Sequence, residues 1–242
     1  MHVRVSLRCL AAAASAIWQA ASIWPMDLFD DLPMQPEAVA LAPGALLLRA
    51  FALADAAALL QATEAVLAQV ALRHMQTPGG HTMSVATASC GALGWVSDAR
   101  GYRYAALDPQ SGQPWPAMPE RLLHLARRAA AAAGFENFQP QACLINQYVP
   151  GAKLSLHQDR DEQDLSSPIV SLSLGLPAVF LFGGPERSQR PQRYRLVHGD
   201  VVVWGGPTRL AFHGVAPLQE GEHALLGRRR INLTFRRVNP VP

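Results

Sequence analysis

The feature that most constrains the fold is a succession of short β-type segments that fills the second half of the chain. From Gln141 onward, apolar and β-branched residues come in short runs, and Gly and Pro separate many of them. The runs are 142–148, 168–174, 178–182, 193–197, 200–204, 209–215 and 230–236. Many short strands at such spacing are typical of a sandwich or jelly roll. We therefore expect a jelly-roll core, also called a double-stranded β-helix.

The first half of the chain contributes two helices and one short strand. Residues 44–51 predict the strand, and residues 55–72 predict a helix rich in alanine and leucine, with Asp55 as a candidate cap. A second helix is expected over 119–133, because Pro119 suits the first turn of a helix. Together with the β-rich half, this predicts an α+β fold, mainly β, in which two helices support the jelly roll.

Between the two helices lies a region of different character. Residues 76–113 contain several glycines, with Trp95, Tyr102 and Tyr104 among them. Glycine-rich segments that carry aromatic residues are typical of loops and hairpins, where binding residues tend to lie. The sequence contains no internal repeat and no low-complexity linker, so residues 26–242 are predicted to form a single domain.

The composition is that of a globular protein with a small excess of basic residues. Hydrophobic residues make up 50% of the 242 and charged residues 16%, which excludes a disordered chain. The formal net charge of +3 is compatible with an anionic partner such as nucleic acid, although many basic proteins bind no polyanion. Cys9, Cys90 and Cys143 are far apart, so neither a disulfide framework nor a thiolate zinc site is expected, and a cytoplasmic location is the simplest interpretation.

The first 25 residues need a separate interpretation. Arg4 and Arg8 precede the apolar run 9–23, a pattern that resembles a secretory signal peptide. The run is too short and too rich in alanine for a transmembrane span. We favour an unstructured extension or an upstream start codon with the real start at Met26, because globular composition begins there. No membrane association is expected, and a monomer is the simplest assembly.

The candidate chemistry centres on the motif His157-Gln158-Asp159. Residues i and i+2 of a strand point to the same face, so both side chains could reach one metal ion. His213 follows in the alternating run 209–215. Two histidines and one carboxylate form the ligand set of non-haem iron(II) oxygenases. An H-x-D pair is a weak signal by itself, and we interpret five other histidines as surface or hydrogen-bonded polar residues: His74, His81, His124, His198 and His223.

The last predicted strand, 230–236, strengthens the case because its polar and apolar residues alternate strictly. Its polar residues share one face and its apolar residues the other, and Asn146 and Tyr148 repeat the pattern upstream. One interpretation is an outer strand with a solvated polar face. The other is a polar interior, which is costly unless a ligand satisfies it. A dicarboxylate such as 2-oxoglutarate would do so, because Arg pairs with carboxylates in bidentate fashion.

With these residues in view, the chain from Met26 to Arg237 resembles the bacterial AlkB family of nucleic-acid demethylases. The resemblance covers nearly the whole chain outside the first 25 residues, and its segments are long and in order. They are Met75-Gln-Thr-Pro-Gly-Gly80, Pro114-Trp-Pro-Ala-Met-Pro119, Cys143-Leu-Ile-Asn146, Pro150-Gly-Ala-Lys-Leu-Ser-Leu-His-Gln-Asp159, Ile169-Val-Ser171, His198-Gly-Asp-Val-Val-Val-Trp-Gly-Gly206 and Asn232-Leu-Thr-Phe-Arg236.

The resemblance implies a role for each candidate residue. The iron ligands would be His157, Asp159 and His213. The residues that bind 2-oxoglutarate would be Asn146, Tyr148, Arg230, Asn232 and Arg236, with Arg230 on the distal carboxylate. Trp95 would stack on the damaged base with His157 on its other side, within a nucleotide-recognition lid at about 74–113. The nucleotide site would be completed by Tyr102, Asp161 and Arg187.

The implied reaction uses Fe(II), 2-oxoglutarate and O2 to remove N-methyl groups from 1-methyladenine and 3-methylcytosine in DNA, with RNA as a second candidate. Formaldehyde, succinate and CO2 would be released. The base would have to be single-stranded or flipped from a duplex. Two alternatives stay open: a 2-oxoglutarate-dependent hydroxylase of a small molecule or protein side chain, and a binding module without turnover. The aromatic lid argues against the first, and the complete ligand set against the second.

Overall fold

The computed structural model describes residues 36–240, which lie within one compact unit, Met34–Pro242. The predictions for residues 1–25 and for a start at Met26 lie outside the described residues. The elements are β1 (Glu37–Ala42), β2 (Ala45–Arg49), α1 (Ala56–Leu67), β3 (Arg73–Gln76), β4 (Thr82–Gly91), β5 (Gly94–Asp98), β6 (Gly101–Ala105), α2 (Glu120–Ala132), β7 (Ala142–Tyr148), β8 (Leu154–His157), β9 (Ile169–Gly175), β10 (Ala178–Phe182), β11 (Gln192–Leu196), β12 (Val201–Trp204), β13 (His213–Val215) and β14 (Arg230–Arg236).

Two antiparallel sheets form the body of the described chain. The larger has eight strands in the order β1-β2-β12-β9-β14-β7-β4-β3, and the smaller has four in the order β11-β10-β13-β8. Strands that are distant in sequence are neighbours in both sheets, which is the arrangement of a jelly roll. The predicted α+β, mainly β class is therefore confirmed. Within residues 36–240, no helix is both long and apolar enough to cross a membrane.

The two helices pack against the larger sheet. In α2 the buried residues recur at helical spacing and form one apolar stripe: Leu122, Leu125, Ala126, Ala129 and Ala130. This stripe and Leu59 of α1 belong to the same buried cluster as Ile231 and Leu233 of β14. Pro119, expected in the first turn, stands one residue before α2, and Gly134 follows the helix with a φ of +84°, the left-handed conformation that commonly ends a helix.

Strand β14 lies in the middle of the larger sheet and is buried on both faces. It pairs with β7 over its whole length, Arg230 opposite Tyr148 and Arg236 opposite Ala142, and with β9 on its other side. All seven of its residues are buried. The apolar residues face the helices, and the polar residues line an internal cavity. The alternative of an outer strand with a solvated face is therefore excluded.

Strand β4 corrects the prediction for residues 76–113. That region was expected to contain only loops and a hairpin, but Thr82–Gly91 is a ten-residue strand between β3 and β7 of the larger sheet. Residues 85–90 are buried, yet most are small, so the sequence lacks the bulky alternation that marks a strand. Within the predicted range, β5 and β6, Gly94–Ala105, form a separate two-stranded sheet that packs against β3, β4 and β7 of the larger sheet. It is called the lid hairpin below.

Other boundaries also differ from the prediction. Helix α1 ends at Leu67, since the chain must leave it to enter β3 at Arg73. Strand β8 ends at His157, so Asp159 lies beyond it, and the expectation that both residues share one face of a strand is wrong. The run 209–215 is a strand only over His213–Val215, and a short 3-10 helix, Gly206–Thr208, ends just before the run.

Trp115 anchors the base of the lid hairpin. Its Nε1 donates a hydrogen bond to the carbonyl of Ala105 at 2.8 Å, and its ring packs on the backbone of Gly94, where a Cβ would come within 2.2 Å of the ring. The guanidinium of Arg73 lies over the Trp115 ring, 5.6 Å from its centroid, and pairs with Asp108 at 2.5 Å. The hairpin therefore projects from a fixed base.

We expect Leu233→Ala to lower the free energy of unfolding by about 2–5 kcal/mol, because it opens a cavity between β14 and the helices. Denaturation in guanidinium chloride measures the change. Leu225→Ala is the matched control, since Leu225 is 58% exposed and its loss should cost less than about 0.5 kcal/mol. Equal effects of the two substitutions would contradict the placement of the β14 apolar face.

Candidate active site

The three predicted metal ligands meet where β8 and β13 pair. His157 ends β8 and His213 begins β13, and the two are direct partners across the strands. Their ring centroids are 4.3 Å apart. Asp159 completes the group, with its Oδ1 3.5 Å from Nε2 of His157 and its Oδ2 3.7 Å from Nε2 of His213. One ligand atom from each residue lies within 4.8 Å of the others, a spacing that could hold a single ion.

Backbone carbonyls orient both imidazoles. Nδ1 of His157 lies 2.9 Å from the carbonyl of Ser155, and Nδ1 of His213 lies 3.0 Å from the carbonyl of Ala211. A carbonyl can only accept, so each Nδ1 carries a proton, and Nε2 is the ring atom of each neutral imidazole that can bind a metal ion. Such hydrogen bonds are the usual way in which proteins fix the tautomer of a metal-binding histidine.

The charges of the centre favour the metal-binding forms of two ligands. Burial raises the pKa of Asp159, but Arg236 and the two histidines outweigh it and hold that pKa well below its usual range. Burial and the neighbouring His157 lower the pKa of His213 to about 4, which leaves its imidazole neutral at neutral pH. Burial also lowers the pKa of His157, yet the hydrogen bond and charge of Asp159 leave it raised overall. A metal ion therefore displaces at most the proton of His157.

Gly214 sets the spacing between the two histidine strands. A Cβ on Gly214 would lie 2.6 Å from the carbonyl oxygen of Leu154 and 3.2 Å from the amide nitrogen of Leu156. The pairing of β13 with β8 is irregular here, because His213 is opposite His157 while Val215 is opposite Leu154. The two backbones can approach this closely only because residue 214 has no side chain.

Arg230 is the second component of the site. It is 1% exposed, and its Nη2 donates to Oγ of Ser173 at 2.9 Å, while the ring of Tyr148 lies 5.0 Å from the guanidinium. Its Nε and Nη1 have no hydrogen-bond partner among the described residues. A buried guanidinium with unsatisfied N–H groups is costly unless an anion completes it. These unsatisfied N–H groups therefore suit an anion such as a carboxylate of 2-oxoglutarate.

The polar residues beside Arg230 form a connected floor. Asn146 donates to Oδ1 of Asn232 at 3.2 Å, Thr234 donates to the same oxygen at 3.0 Å, and Asn232 donates to Oγ of Ser171 at 2.8 Å. Arg236 differs from Arg230. Its Nε and Nη2 both donate to Oδ2 of Asp159, at 2.8 and 2.5 Å, so its guanidinium is committed to the metal carboxylate.

The predicted substrate residues open onto the same cavity. Trp95 and Tyr102 of the lid hairpin stack with ring centroids 5.6 Å apart and planes 11° apart. Nε1 of Trp95 donates to Oδ2 of Asp161 at 2.9 Å, and Arg187 lies exposed at the margin. The cavity has a volume of about 700 Å³ and is lined by every predicted site residue: His157, Asp159, His213, Asn146, Tyr148, Arg230, Asn232, Arg236, Trp95, Tyr102, Asp161 and Arg187.

The sequence analysis missed two buried charged residues near the metal ligands, Arg209 and Glu162. Nη1 of Arg209 donates to the backbone carbonyl of Asp159 at 2.7 Å, and its Nη2 donates to Glu162 at 3.0 Å. Tyr104, predicted only as a lid aromatic, donates to Glu162 at 2.6 Å. Arg209 and Glu162 lie outside the strands, where no periodicity marks them as buried, so the sequence carries little signal for either residue.

Comparisons with known proteins agree with this geometry. Residues 44–236 match the 2OG-Fe(II) oxygenase superfamily. The chain is 57% identical over 212 residues, 87% of its length and 97% of the relative, to "Alpha-ketoglutarate-dependent dioxygenase AlkB" of Salmonella typhimurium. It is 35% identical over 133 residues to "Nucleic acid dioxygenase ALKBH1" of Homo sapiens, covering 54% of this chain and 34% of that one. The solved structure of OsALKBH1 superimposes with a TM-score of 0.69 at 29% identity, over 85% of this chain and 100% of the other.

The superfamily match spans the jelly roll from β2 to β14, and the Salmonella relative aligns over almost its whole length. Fe(II), 2-oxoglutarate and O2 are the cofactor and cosubstrates of this enzyme class, and the residues around the cavity suit them. The chain belongs to the AlkB family of the 2OG-Fe(II) oxygenase superfamily.

Proposed function

We propose that this protein repairs alkylated DNA by removing N-methyl groups from 1-methyladenine and 3-methylcytosine, with RNA as a further substrate. The products are the repaired base, formaldehyde, succinate and CO2. The observation that carries the proposal is the shared cavity, in which the His157–Asp159–His213 group, the unsatisfied Arg230 and the aromatic lid hairpin face one space. The human relative, a nucleic acid dioxygenase by name, supports the substrate class.

In this proposal His157, Asp159 and His213 hold the metal. Iron(II) bound there supplies, with 2-oxoglutarate and O2, the oxidant that hydroxylates the methyl group. The three residues would hold the ion, and a set of two histidines and one carboxylate would leave coordination positions for the cosubstrate and O2. Arg236 keeps Asp159 ionised, and the two backbone carbonyls keep both Nε2 atoms directed at the ion.

Arg230 and its neighbours orient 2-oxoglutarate. The distal carboxylate accepts from Nη1 of Arg230, which has no partner among the described residues and lies beside the Nη2 that donates to Ser173. Tyr148 packs against the guanidinium, and Asn146 and Asn232 form the floor between Arg230 and the metal group. A cosubstrate held at its far end presents its keto-acid end to the metal in one orientation.

The lid hairpin and Asp161 receive the base. Trp95 offers a ring face on which a base can stack, with His157 as the opposite surface, and Tyr102 stacks on Trp95. Asp161 is a carboxylate at the cavity, so it favours a cationic methylated base over a neutral one. Arg187, exposed beside the cavity, suits a phosphate of the same strand. A flipped or single-stranded base can enter, and a methylated base flips easily because it pairs poorly.

The proposal also covers the setting of the enzyme. We place it in the cytoplasm as a monomer. The location is supported by Cys90 and Cys143, which are free thiols although they lie opposite each other on β4 and β7. The competing functions are hydroxylation of a small molecule or protein side chain, and binding without turnover. Succinate formation that responds to a small amine or amino acid but not to methylated oligonucleotides would favour the first, and absence of turnover with every substrate would favour the second.

We expect the protein, with Fe(II), 2-oxoglutarate and air, to release formaldehyde from oligonucleotides that contain 1-methyladenine or 3-methylcytosine. His157→Ala should lower this rate by at least about 100-fold, because one metal ligand is lost. His124→Ala is the control, as His124 is exposed on α2, and it should retain the rate. A fluorimetric formaldehyde assay measures both variants. No release from any methylated strand would refute the proposed reaction.

Arg230→Lys should raise the KM for 2-oxoglutarate by at least about tenfold, because a lysine cannot make the bidentate contact. Arg229→Lys is the matched control. Arg229 is the adjacent residue, but it pairs with Glu64 and Gln147 instead of facing the cavity, and its substitution should change the KM less than about twofold. Succinate formation at varied 2-oxoglutarate gives both values. If the two variants behave alike, Arg230 does not bind the cosubstrate.

Trp95→Ala should raise the KM for a methylated oligonucleotide by roughly 5- to 150-fold, the value of one stacking contact of about 1–3 kcal/mol. The KM for 2-oxoglutarate should stay unchanged, since Trp95 belongs to the lid hairpin and not to the floor of the cavity. Trp95→Phe should recover part of the loss because it retains a ring face. Steady-state kinetics with both substrates test this, and an unchanged oligonucleotide KM would remove Trp95 from the base site.

A further inference from the structure

Glu162 is a buried carboxylate for which the proposed reaction has no use. Its side chain is 2% exposed. Tyr104 donates its hydroxyl to Oε1 at 2.6 Å, Arg209 donates Nη2 to Oε2 at 3.0 Å, and Nε of Arg236 lies 3.4 Å from Oε1. Groups from three separate parts of the chain therefore converge on one side chain.

Both arginines lead from Glu162 to the metal ligand Asp159, but to different parts of it. Arg209 holds the backbone, since its Nη1 donates to the carbonyl of Asp159 at 2.7 Å and its Nε donates to the carbonyl of Ser167 at 3.0 Å. Arg236 holds the carboxylate through Oδ2. Asp159 lies beyond the end of β8, so no strand pairing positions it. These contacts take the place of a strand.

The four charged groups form a balanced set. Asp159 and Glu162 carry two negative charges, Arg209 and Arg236 carry two positive charges, and none of the four side chains is more than 9% exposed. A buried network of this kind is tolerated when every charge is paired, and it then selects one arrangement. Without the charge of Glu162, an excess positive charge would face the position at which a divalent cation binds.

Tyr104 connects the same network to the lid hairpin. It belongs to β6 and lies directly opposite Trp95 of β5. The adjacent residues Asp161 and Glu162 thus each hold one member of this cross-strand pair: Asp161 accepts from Trp95 at 2.9 Å and Glu162 accepts from Tyr104 at 2.6 Å. The position of the stacking ring and the position of the metal carboxylate are linked through neighbouring residues of one loop.

We propose that Glu162 is a positioning residue that couples the lid hairpin to the metal site, through Tyr104 on one side and through Arg209 and Arg236 on the other. The inference rests on the proposed metal and base sites. It predicts that metal binding at Asp159 stabilises the lid hairpin even without nucleic acid, and that this effect passes through the hydroxyl of Tyr104. Coupling of this kind is reciprocal, so loosening the hairpin also weakens metal binding.

The test uses the full chain with Co(II) as the metal probe and 2-oxoglutarate present, in the absence of nucleic acid. Hydrogen exchange of residues 94–105, read by mass spectrometry, is compared with and without Co(II), and visible absorption gives the Kd for Co(II). The variants are Tyr104→Phe and Glu162→Gln. Asp98→Asn is the control, because Asp98 pairs with Arg103 on the same hairpin at 2.8 Å but has no contact with Glu162.

In the unmodified protein and in Asp98→Asn, Co(II) should slow exchange in the hairpin by about fivefold, at the lower end of typical coupling factors. In Tyr104→Phe this slowing should be lost. Glu162→Gln should lose the slowing and also raise the Kd for Co(II) by about 10- to 100-fold, as expected for a group that orients a metal ligand. Tyr104→Phe removes one oxygen only, so it decides the matter if Glu162→Gln fails to fold.

Two results would overturn the proposal. One is full Co(II)-dependent slowing in Tyr104→Phe, and the other is a folded Glu162→Gln variant with an unchanged Kd for Co(II), which would make the ion pairs merely structural. The measurements need no turnover. A protein that shows the coupling but releases no formaldehyde from methylated oligonucleotides would therefore refute the proposed reaction and leave the coupling standing.

Discussion

A strand that is buried on both faces must separate its polar from its apolar residues completely, and β14 meets this constraint. Its apolar residues seal the helical layer against the larger sheet, while its polar residues face the cavity. A shift of one residue in register would put Arg230 and Arg236 into the apolar cluster and expose the cavity to leucine and phenylalanine. Pairing with both β7 and β9 prevents that shift. The proposed 2-oxoglutarate site therefore depends on the register of one central strand.

The same alternation explains why so much of the fold could be predicted. Strands β7, β10 and β14 have the predicted bounds, because their residues are bulky, β-branched or strictly alternating. The prediction failed for β4, whose buried side chains are mostly small. It also failed for the end of β8, since what positions Asp159 is a set of tertiary contacts. Periodicity reports burial against a flat surface, and it does not report close approach of backbones or ion pairs between loops.

The site divides in a similar way. The residues that carry the proposed chemistry could be predicted, because two histidines and an aspartate form a known iron-binding set and Arg230 lies on the polar face of an alternating strand. The residues that hold them in place could not be. Arg209 and Glu162 look like solvated charges in a sequence, and only the structure shows both buried and paired with each other. The sequence also did not show how the two arginines differ. Arg230 has two nitrogen atoms without a partner among the described residues, whereas Arg236 pairs with Asp159.

The spacing of the metal ligands depends on the absence of a side chain at Gly214. This glycine holds no metal and makes no side-chain contact, yet the distance between β13 and β8 exists only while that position lacks a Cβ. Even an alanine at this position would push β13 away from β8, and it would separate His213 from His157 without changing either residue. The distance between the two histidine ligands is thus set by Gly214 as well as by the ligands themselves. We therefore expect Gly214 to tolerate no substitution, although it is not itself a metal ligand.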